Sequence, residues 1–389
     1  MDTVNTKSNT RLLSLDVMRG ITIAGMIMVN NPGSWDAVYT PLEHAAWNGL
    51  TPTDLVFPFF MFIMGISCYA SLRKFDFRPT GQVIYKILKR TALIFLVGLV
   101  LAWFGLSLST YNQLKAENLP FFSHVWGAVT NFESVRILGV LQRLALCYGF
   151  ASLIVVLVKH KYIPYIIIGG LVGYFFILVG GNGFEPNDTN ILGIVDRSVF
   201  SLKHLYLDRG VEPEGLLSTI PSVCHVLIGF YCGRMLMETK DNKERMLNLF
   251  LAGTIMTFLG FLLSYGCPIN KKIWSPTFVL VTCGLGSLLL ALLIWIIDVK
   301  QYKSWSRFFQ AFGVNPLAIY VFAGILASLI DFIVVNYKGD VFDLKSLCYE
   351  ALAYCFNPYF ASLVFALLFI GVCWAVAYVL YKKKIYIKL

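Results

Sequence analysis

The chain has 389 residues, 57% of them hydrophobic and 14% charged, with a mean hydropathy of +0.69. A water-soluble domain carries about 25% charged residues, so a soluble globular protein is excluded and a polytopic membrane protein is indicated. The net charge of +10 lies in short segments on alternate sides of apolar runs, which argues against a nucleic-acid partner and for a lipid bilayer.

A bilayer core of about 30 Å needs about 20 apolar residues per helix, and lipid tolerates no unpaired backbone, so the spans must be helical. Ten runs qualify, over 12–31, 54–73, 84–107, 136–158, 162–181, 216–237, 246–265, 275–298, 313–335 and 359–381. The predicted fold is all-α and polytopic, a single transmembrane domain over 1–389. With the N-terminus inside, the inner segments hold 22 of the 32 cations, among them Lys7, Arg11, Lys159, Lys161, Lys300, Lys303 and Lys388, while 15 of the 22 acids fall outside. Both termini are therefore predicted to be cytoplasmic and the 32–53 passage to face outward. The first ten residues lack an apolar core with a cleavage site, so no removable signal peptide is expected. Nine cysteines show no CxxC or metal-like spacing, and no metal is expected; Cys348 and Cys355, flanking a predicted outer loop, could pair.

In chain order, span 1 carries Asp16 and Arg19 three apart, on one helical face. They form either a structural ion pair or part of a polar-ligand site open to the cytoplasm. Span 2 begins with a readable cap: Thr51 at N-cap, Pro52 at N1 and Asp54 at N3. Asp54 thus has a structural role available beside any chemical one. Pro58 and Gly65 loosen this helix, which suits a span lining a cavity. The inner loop 73–90 is the most basic segment, with Lys86, Lys89 and Arg90 at helical spacing. It serves topology, phosphate binding, or both. Segment 108–135, with His124 and Trp126, reads as a polar, aromatic outer stretch.

Span 4 opens with Arg136, Gln142 and Arg143. Arg143 lies about two turns in, where a cation needs a partner or water. Segment 182–215 is the longest outer loop and is rich in acids, which suits a cationic or sugar-like acceptor as well as plain solvation. His225 inside span 6 reads as a core histidine with its hydrogen bonds met, and His160 as a loop residue. Lys271–Pro276 forms a short outer turn, and Asn315-Pro316 starts span 9 at its inner end.

The passage that carries chemistry runs from Asn30 to Gly65 and holds His44, Asn48, Asp54, Trp35 and Trp47. A neutral imidazole acts as general base or nucleophile; an acid can hold its tautomer, and amides such as Asn30 and Asn48 can donate to an oxyanion.

The words His44–Pro58, H-A-A-W-N-G-L-T-P-T-D-L-V-F-P, resemble the H-A-x-W-N-G-L-T-x-x-D-L-V-F-P passage of the heparan-α-glucosaminide N-acetyltransferase family. The likeness continues in Asp16–Gly20, Gly139–Leu144, Pro213–Ile220, Asn270–Trp274 and Asp298-Val299-Lys300, in the same order. The resemblance implies acetyl transfer across a membrane, from cytoplasmic acetyl-CoA as co-substrate to the amine of a glucosamine-like sugar or glycan acceptor outside. It implies His44 as the catalytic residue, with Asn30 and Asp54 as partners. The coenzyme's phosphates cannot sit in hydrocarbon and are expected among inner cations such as Lys86, Lys89 and Arg90, with Asp16, Arg19, Arg143 and Asn315 as further coenzyme-binding candidates. Lacking the large luminal domain and extra first span of the animal enzymes, the chain is expected to be a compact bacterial-type member of the cytoplasmic (inner) membrane; a homodimer is left open. Two rival readings stand beside this one. An O-acetyltransferase of envelope glycans would use the same base, and a secondary transporter would run its path past Asp16, Arg19 and Arg143.

Overall fold

The computed structural model describes residues 12–116, 120–337 and 340–387; Lys7, Arg11 and Lys388 of the inner cations lie outside these. Among the described residues, the first half comprises α1 (Leu13–Asn30), α2 (Val56–Leu72), α3 (Gly81–Ala116), α4 (Phe121–Thr130), α5 (Val140–Leu157), α6 (Ile163–Gly180) and α7 (Ile191–Val199). The second comprises α8 (Thr219–Glu238), α9 (Asn242–Leu263), α10 (Pro276–Leu293), α11 (Ser306–Val314), α12 (Pro316–Phe332), an antiparallel hairpin of β1 (Val334–Tyr337) and β2 (Asp340–Asp343), α13 (Leu344–Ala353) and α14 (Pro358–Lys382). Nine described helices are long and apolar enough to cross a membrane, or ten if α11 and α12, bent by 85°, make one broken span. The protein is an all-α polytopic membrane protein.

Burial divides the helices. The spans built on α1, α2, α5, α8 and α10 are mostly buried, whereas α3, α6 and α9 present most of their apolar surface outward. Apolar surface on every side suits helices that meet lipid. The inner helices touch at small residues, as membrane helices do when backbones must come close. Where α2 crosses α8, a Cβ on Gly65 would stand 2.1 Å from the Val226 carbonyl oxygen, and one on Gly229 would stand 2.3 Å from that of Phe62.

The connections segregate to two ends of the bundle. At one end Tyr69 bonds Glu238, Arg73 bonds Met237, Tyr231 bonds His160, and the chain's last described residues meet Asn315. At the other, Trp47 bonds Phe184, Gly49 bonds Ile269, Ile137 bonds His204 and Gly33 bonds Ser362. The first end holds the inner cations among the described residues, the second the outer acids. We call them the basic and acidic ends.

Several boundaries depart from the hydropathy reading. α3 runs on to Ala116, and α4 occupies part of the stretch expected as an outer loop. α5 starts at Val140, so Arg136 lies outside the helix. Span 9 begins at Pro316 rather than 313, because Asn315 (φ −127°, ψ 53°) is not helical; a residue before proline is pushed out of the α region. Hydropathy counts apolar length and cannot see such a break. Cys348 and Cys355 are free thiols. Cys348 lies on α13 and Cys355 just beyond it, so seven residues of nearly helical rise part them by about 10 Å, beyond the roughly 7 Å a disulfide spans.

Candidate active site

The site is built by the link between α1 and α2 at the acidic end. Pro52–Leu55 forms a single 3₁₀ turn leading into α2, with the Thr51–Asp54 capping box in place. That turn sits beside the end of α1. It fixes Asp54, whose Oδ2 accepts the backbone N–H of Ala45 at 3.1 Å and of Thr51 at 3.2 Å and lies 3.0 Å from the Thr51 hydroxyl. Asp54 therefore does serve the cap. Its other oxygen, Oδ1, lies 2.6 Å from Nδ1 of His44. The acid is 1% exposed and the imidazole 45%, so a buried carboxylate holds a ring that stays open to its surroundings.

A third group joins from a distant part of the chain. Lys271 Nζ stands 3.1 Å from His44 Nδ1, 3.5 Å from Nε2 and 3.5 Å from Asp54 Oδ1. Burial pushes the Lys271 ammonium below the usual lysine range, against the opposing fields of Asp54 and then Glu214. The sequence marked this lysine as part of a turn and of the Asn270–Trp274 word that resembles the family; nothing in its spacing foretold a contact across 227 residues. The turn is tied to the His44 passage at further points: Asn270 Nδ2 donates to Asn48 Oδ1 at 3.1 Å, Gly49 N–H to the Ile269 carbonyl at 2.8 Å, and Lys272 Nζ to the Ala46 carbonyl at 2.9 Å. Lys272 also reaches Asp208 at 2.5 Å, which brings in the long acidic loop.

That loop is organised by two arginines. Arg136 is clamped by Glu212 and Glu214 and lies over the Tyr206 ring. Burial raises the Glu212 carboxyl despite the guanidinium beside it. Arg143, 1% exposed, binds no carboxylate among the described residues. Its Nη1 donates to the Ser218 carbonyl and Ser222 Oγ, and its Nη2 to the carbonyls of Pro213 and Gly215 and to Ser218 Oγ. The partners expected at its depth are thus largely the backbone oxygens of the P-E-G-L-L-S-T word.

These loops place an imidazole, a carboxylate and a lysine together at one mouth of a helical membrane bundle. A family model described as an acyltransferase domain matches residues 12–382. The chain belongs to that acyltransferase family. It is similar to heparan-alpha-glucosaminide N-acetyltransferase of Homo sapiens, 28% identical over 375 residues covering 80% of this chain and 52% of that protein. Against the Mus musculus protein of the same name it is 26% identical over 446 aligned residues, covering 98% and 61%. It thus spans about half to three-fifths of the length of these curated relatives, and the family resemblance read from the motifs holds.

The other nitrogen of the His44 ring, Nε2, stands 3.5 Å from Lys271 Nζ. Asp54 Oδ1 accepts the Nδ1 proton, which leaves Nε2 with its lone pair. That atom can take a proton from an attacking amine or can itself attack a thioester.

The remaining predicted residues lie elsewhere. Asn30 is exposed at the end of α1 and forms no hydrogen bond with His44 or Asp54 among the described residues. Arg19 Nη1 pairs with Asp16 Oδ1 at 2.9 Å, and the same guanidinium bonds the Gly313 carbonyl and Ser67 Oγ, joining α1 to α11 and α2. Asn315 gives its side-chain N–H to the Ile385 carbonyl and accepts the Ile387 N–H, both at 2.8 Å. Lys86 lies over Phe75 and Arg90 over Tyr148, and both, like Lys89, are exposed on α3. A second cationic group was not singled out from sequence: Lys240, Arg245 and Lys303 line a cleft of about 540 Å³ at the basic end, together with Asp241 and Asp298. His225 is buried next to Trp274, as expected of a core histidine, with a Pro58 backbone group near its ring but outside good hydrogen-bond geometry among the described residues.

Proposed function

We propose that this protein is a transmembrane acetyltransferase, carrying the acetyl group of cytoplasmic acetyl-CoA to the amine of a terminal glucosamine-like sugar outside. The basic end faces the cytoplasm and the acidic end the far side, in a bacterial inner membrane. The observation that carries the reading is the His44–Asp54 pair, with Nδ1 held by a buried carboxylate and Nε2, 3.5 Å from Lys271 Nζ, on a ring that is 45% exposed.

In the direct route, Nε2 takes a proton from the acceptor ammonium. The amine lone pair forms the N–C bond to the thioester carbon, the C–S bond breaks, and the thiolate leaves with a proton, giving the N-acetyl sugar and CoA. Asp54 keeps the ring in the right tautomer and stabilises the imidazolium. Lys271, at hydrogen-bond distance from the ring, is placed to donate to the oxyanion that develops on the thioester oxygen. The same Nε2 would carry the acetyl group if the transfer ran in two steps, which ping-pong kinetics would reveal. The coenzyme's phosphates stay among cations of the basic end, either Lys86, Lys89 and Arg90 or the Lys240, Arg245 and Lys303 cleft, which the cavity there favours. Asp16, Arg19, Arg143 and Asn315 support the path by joining helices and loops along it.

The test is acetyl transfer in proteoliposomes with acetyl-CoA on one side and glucosamine on the other. Wild type forms N-acetylglucosamine and His44→Ala forms none while keeping its melting temperature. A His44→Ala protein that still transfers acetyl removes the imidazole from the mechanism. Acetylation of hydroxyl acceptors alone makes the enzyme an O-acetyltransferase.

A further inference from the structure

We propose that a buried box around Trp274 is the docking site for the carbonyl-bearing end of the acyl donor's thin arm, its thioester or adjoining amide; this rests on the acetyl-transfer reading above. Trp274 sits three residues beyond Lys271, at a left-handed φ of 52° that side-chain-bearing residues seldom adopt. The turn is held there by Ser275 N–H on the Asn270 carbonyl and Ile273 N–H on Asn270 Oδ1. With Lys271 directed to His44, the indole goes into the core instead. Its ring centroid lies 5.5 Å from Phe57, 5.1 Å from Phe278 and 5.9 Å from His225, and the Arg143 guanidinium stands 5.8 Å from it.

Trp274, Arg143 and His225 are each 2% exposed or less. Yet among the described residues Trp274 Nε1 and Arg143 Nε have no hydrogen-bond partner, and His225 has only a Pro58 backbone group near its ring, outside good hydrogen-bond geometry. Buried polar atoms are nearly always paired, and leaving one unpaired is costly. Two such donors and a weakly held imidazole, grouped around one indole, mark a place that gains by receiving a ligand. The chemistry of the ligand follows from the donors. Indole and guanidinium N–H only donate, and Arg143 brings positive charge without an ion pair among the described residues, so the ligand must offer acceptors. Phe57 and Phe278 require the rest of it to be apolar and thin, which a strongly hydrated phosphate is not. A thioester or secondary-amide carbonyl on a slender chain meets both demands. The position agrees: Phe57 lies three residues beyond Asp54 and Trp274 three beyond Lys271, which ties the box through the chain to the two groups that touch the imidazole.

Trp274→Phe and His225→Phe remove the ring nitrogens of the box while keeping an aromatic ring. Each is assayed in purified, reconstituted protein for acetyl-CoA binding, for KM toward acetyl-CoA and the acceptor, and for melting temperature. The expected result is a KM for acetyl-CoA raised about 5- to 10-fold per lost hydrogen bond, with acceptor KM unchanged and melting temperature held or raised. The same rise should appear with S-acetylpantetheine, which lacks the phosphates. If wild type turns over and both variants keep their acetyl-CoA KM within twofold, water alone satisfies the box; the proposal falls and acetyl transfer stands. If wild type neither binds acetyl-CoA nor transfers acetyl, both fall together.

Discussion

Replacing Asp54 by asparagine separates the structural from the chemical duty of this residue. The structure dictates how the amide must sit. The Oδ2 position faces two backbone N–H groups, from Ala45 at 3.1 Å and Thr51 at 3.2 Å, so the amide oxygen belongs there and the cap survives. The NH₂ group is then forced into the Oδ1 position, 2.6 Å from His44 Nδ1. A donor at that place requires Nδ1 to accept, which moves the ring proton to Nε2 and removes the lone pair the reaction needs. The NH₂ also meets the Lys271 ammonium, 3.5 Å from the same site. Wrong-tautomer substitution in another imidazole–carboxylate enzyme costs about 10⁴ in kcat; we expect roughly 10³–10⁴ here, about 4–5.5 kcal/mol of transition-state stabilisation. The assay is initial-rate transfer from radiolabelled acetyl-CoA to glucosamine in proteoliposomes, alongside a thermal melt. A folded Asp54→Asn protein within tenfold of wild-type kcat would refute the tautomer argument.

Four further outcomes follow from the geometry. Lys271→Met should lower kcat by about 10²-fold or more through loss of a charged donor beside the ring, with partial recovery in Lys271→Arg; equal rates in all three proteins would exclude Lys271 from the chemistry. Burial raises the Asp196 carboxyl, against the Leu216 N–H and the Arg143 and Arg197 charges, and its Oδ2 has no partner among the described residues. A raised folded pKa means that the folded state holds the proton longer. Wild type should therefore lose stability as pH rises from the ordinary aspartate value of about 3.9 through the folded value, and Asp196→Asn should lack that decline, as melts between pH 4 and 8 would show. Gly229→Ala puts a Cβ 2.3 Å from the Phe62 carbonyl oxygen and should destabilise the α2–α8 crossing by about 1–3 kcal/mol, read as a lowered melting temperature. Neutralising Lys240, Arg245 and Lys303 together should raise KM for acetyl-CoA but not for S-acetylpantetheine. If that pattern follows Lys86, Lys89 and Arg90 instead, the phosphates bind on α3.

Much of the architecture follows from local properties of the chain. Apolar runs of about 20 residues have one stable answer in lipid, and all ten expected spans correspond to helices or to the bent α11–α12 pair. The Thr51–Asp54 cap was legible because capping depends on residues three apart, and the nearness of His44 to Asp54 is plausible over ten residues. The family, too, could be read from words such as His44–Pro58, since motif identity needs no coordinates.

Tertiary structure alone decided who meets whom across the loops. Lys271 reaches His44, Lys272 reaches Asp208, Arg136 gathers Glu212 and Glu214, and Arg143 spends its donors on backbone oxygens and serine hydroxyls of a segment some 70 residues away. Hydropathy and periodicity describe how a segment faces lipid or core. They carry no record of which loop lies beside which, because that depends on the packing angles of whole helices. Trp274 Nε1 and Arg143 Nε are the extreme case: each residue type looks ordinary in the chain, and only the burial that packing imposes leaves them without a partner among the described residues.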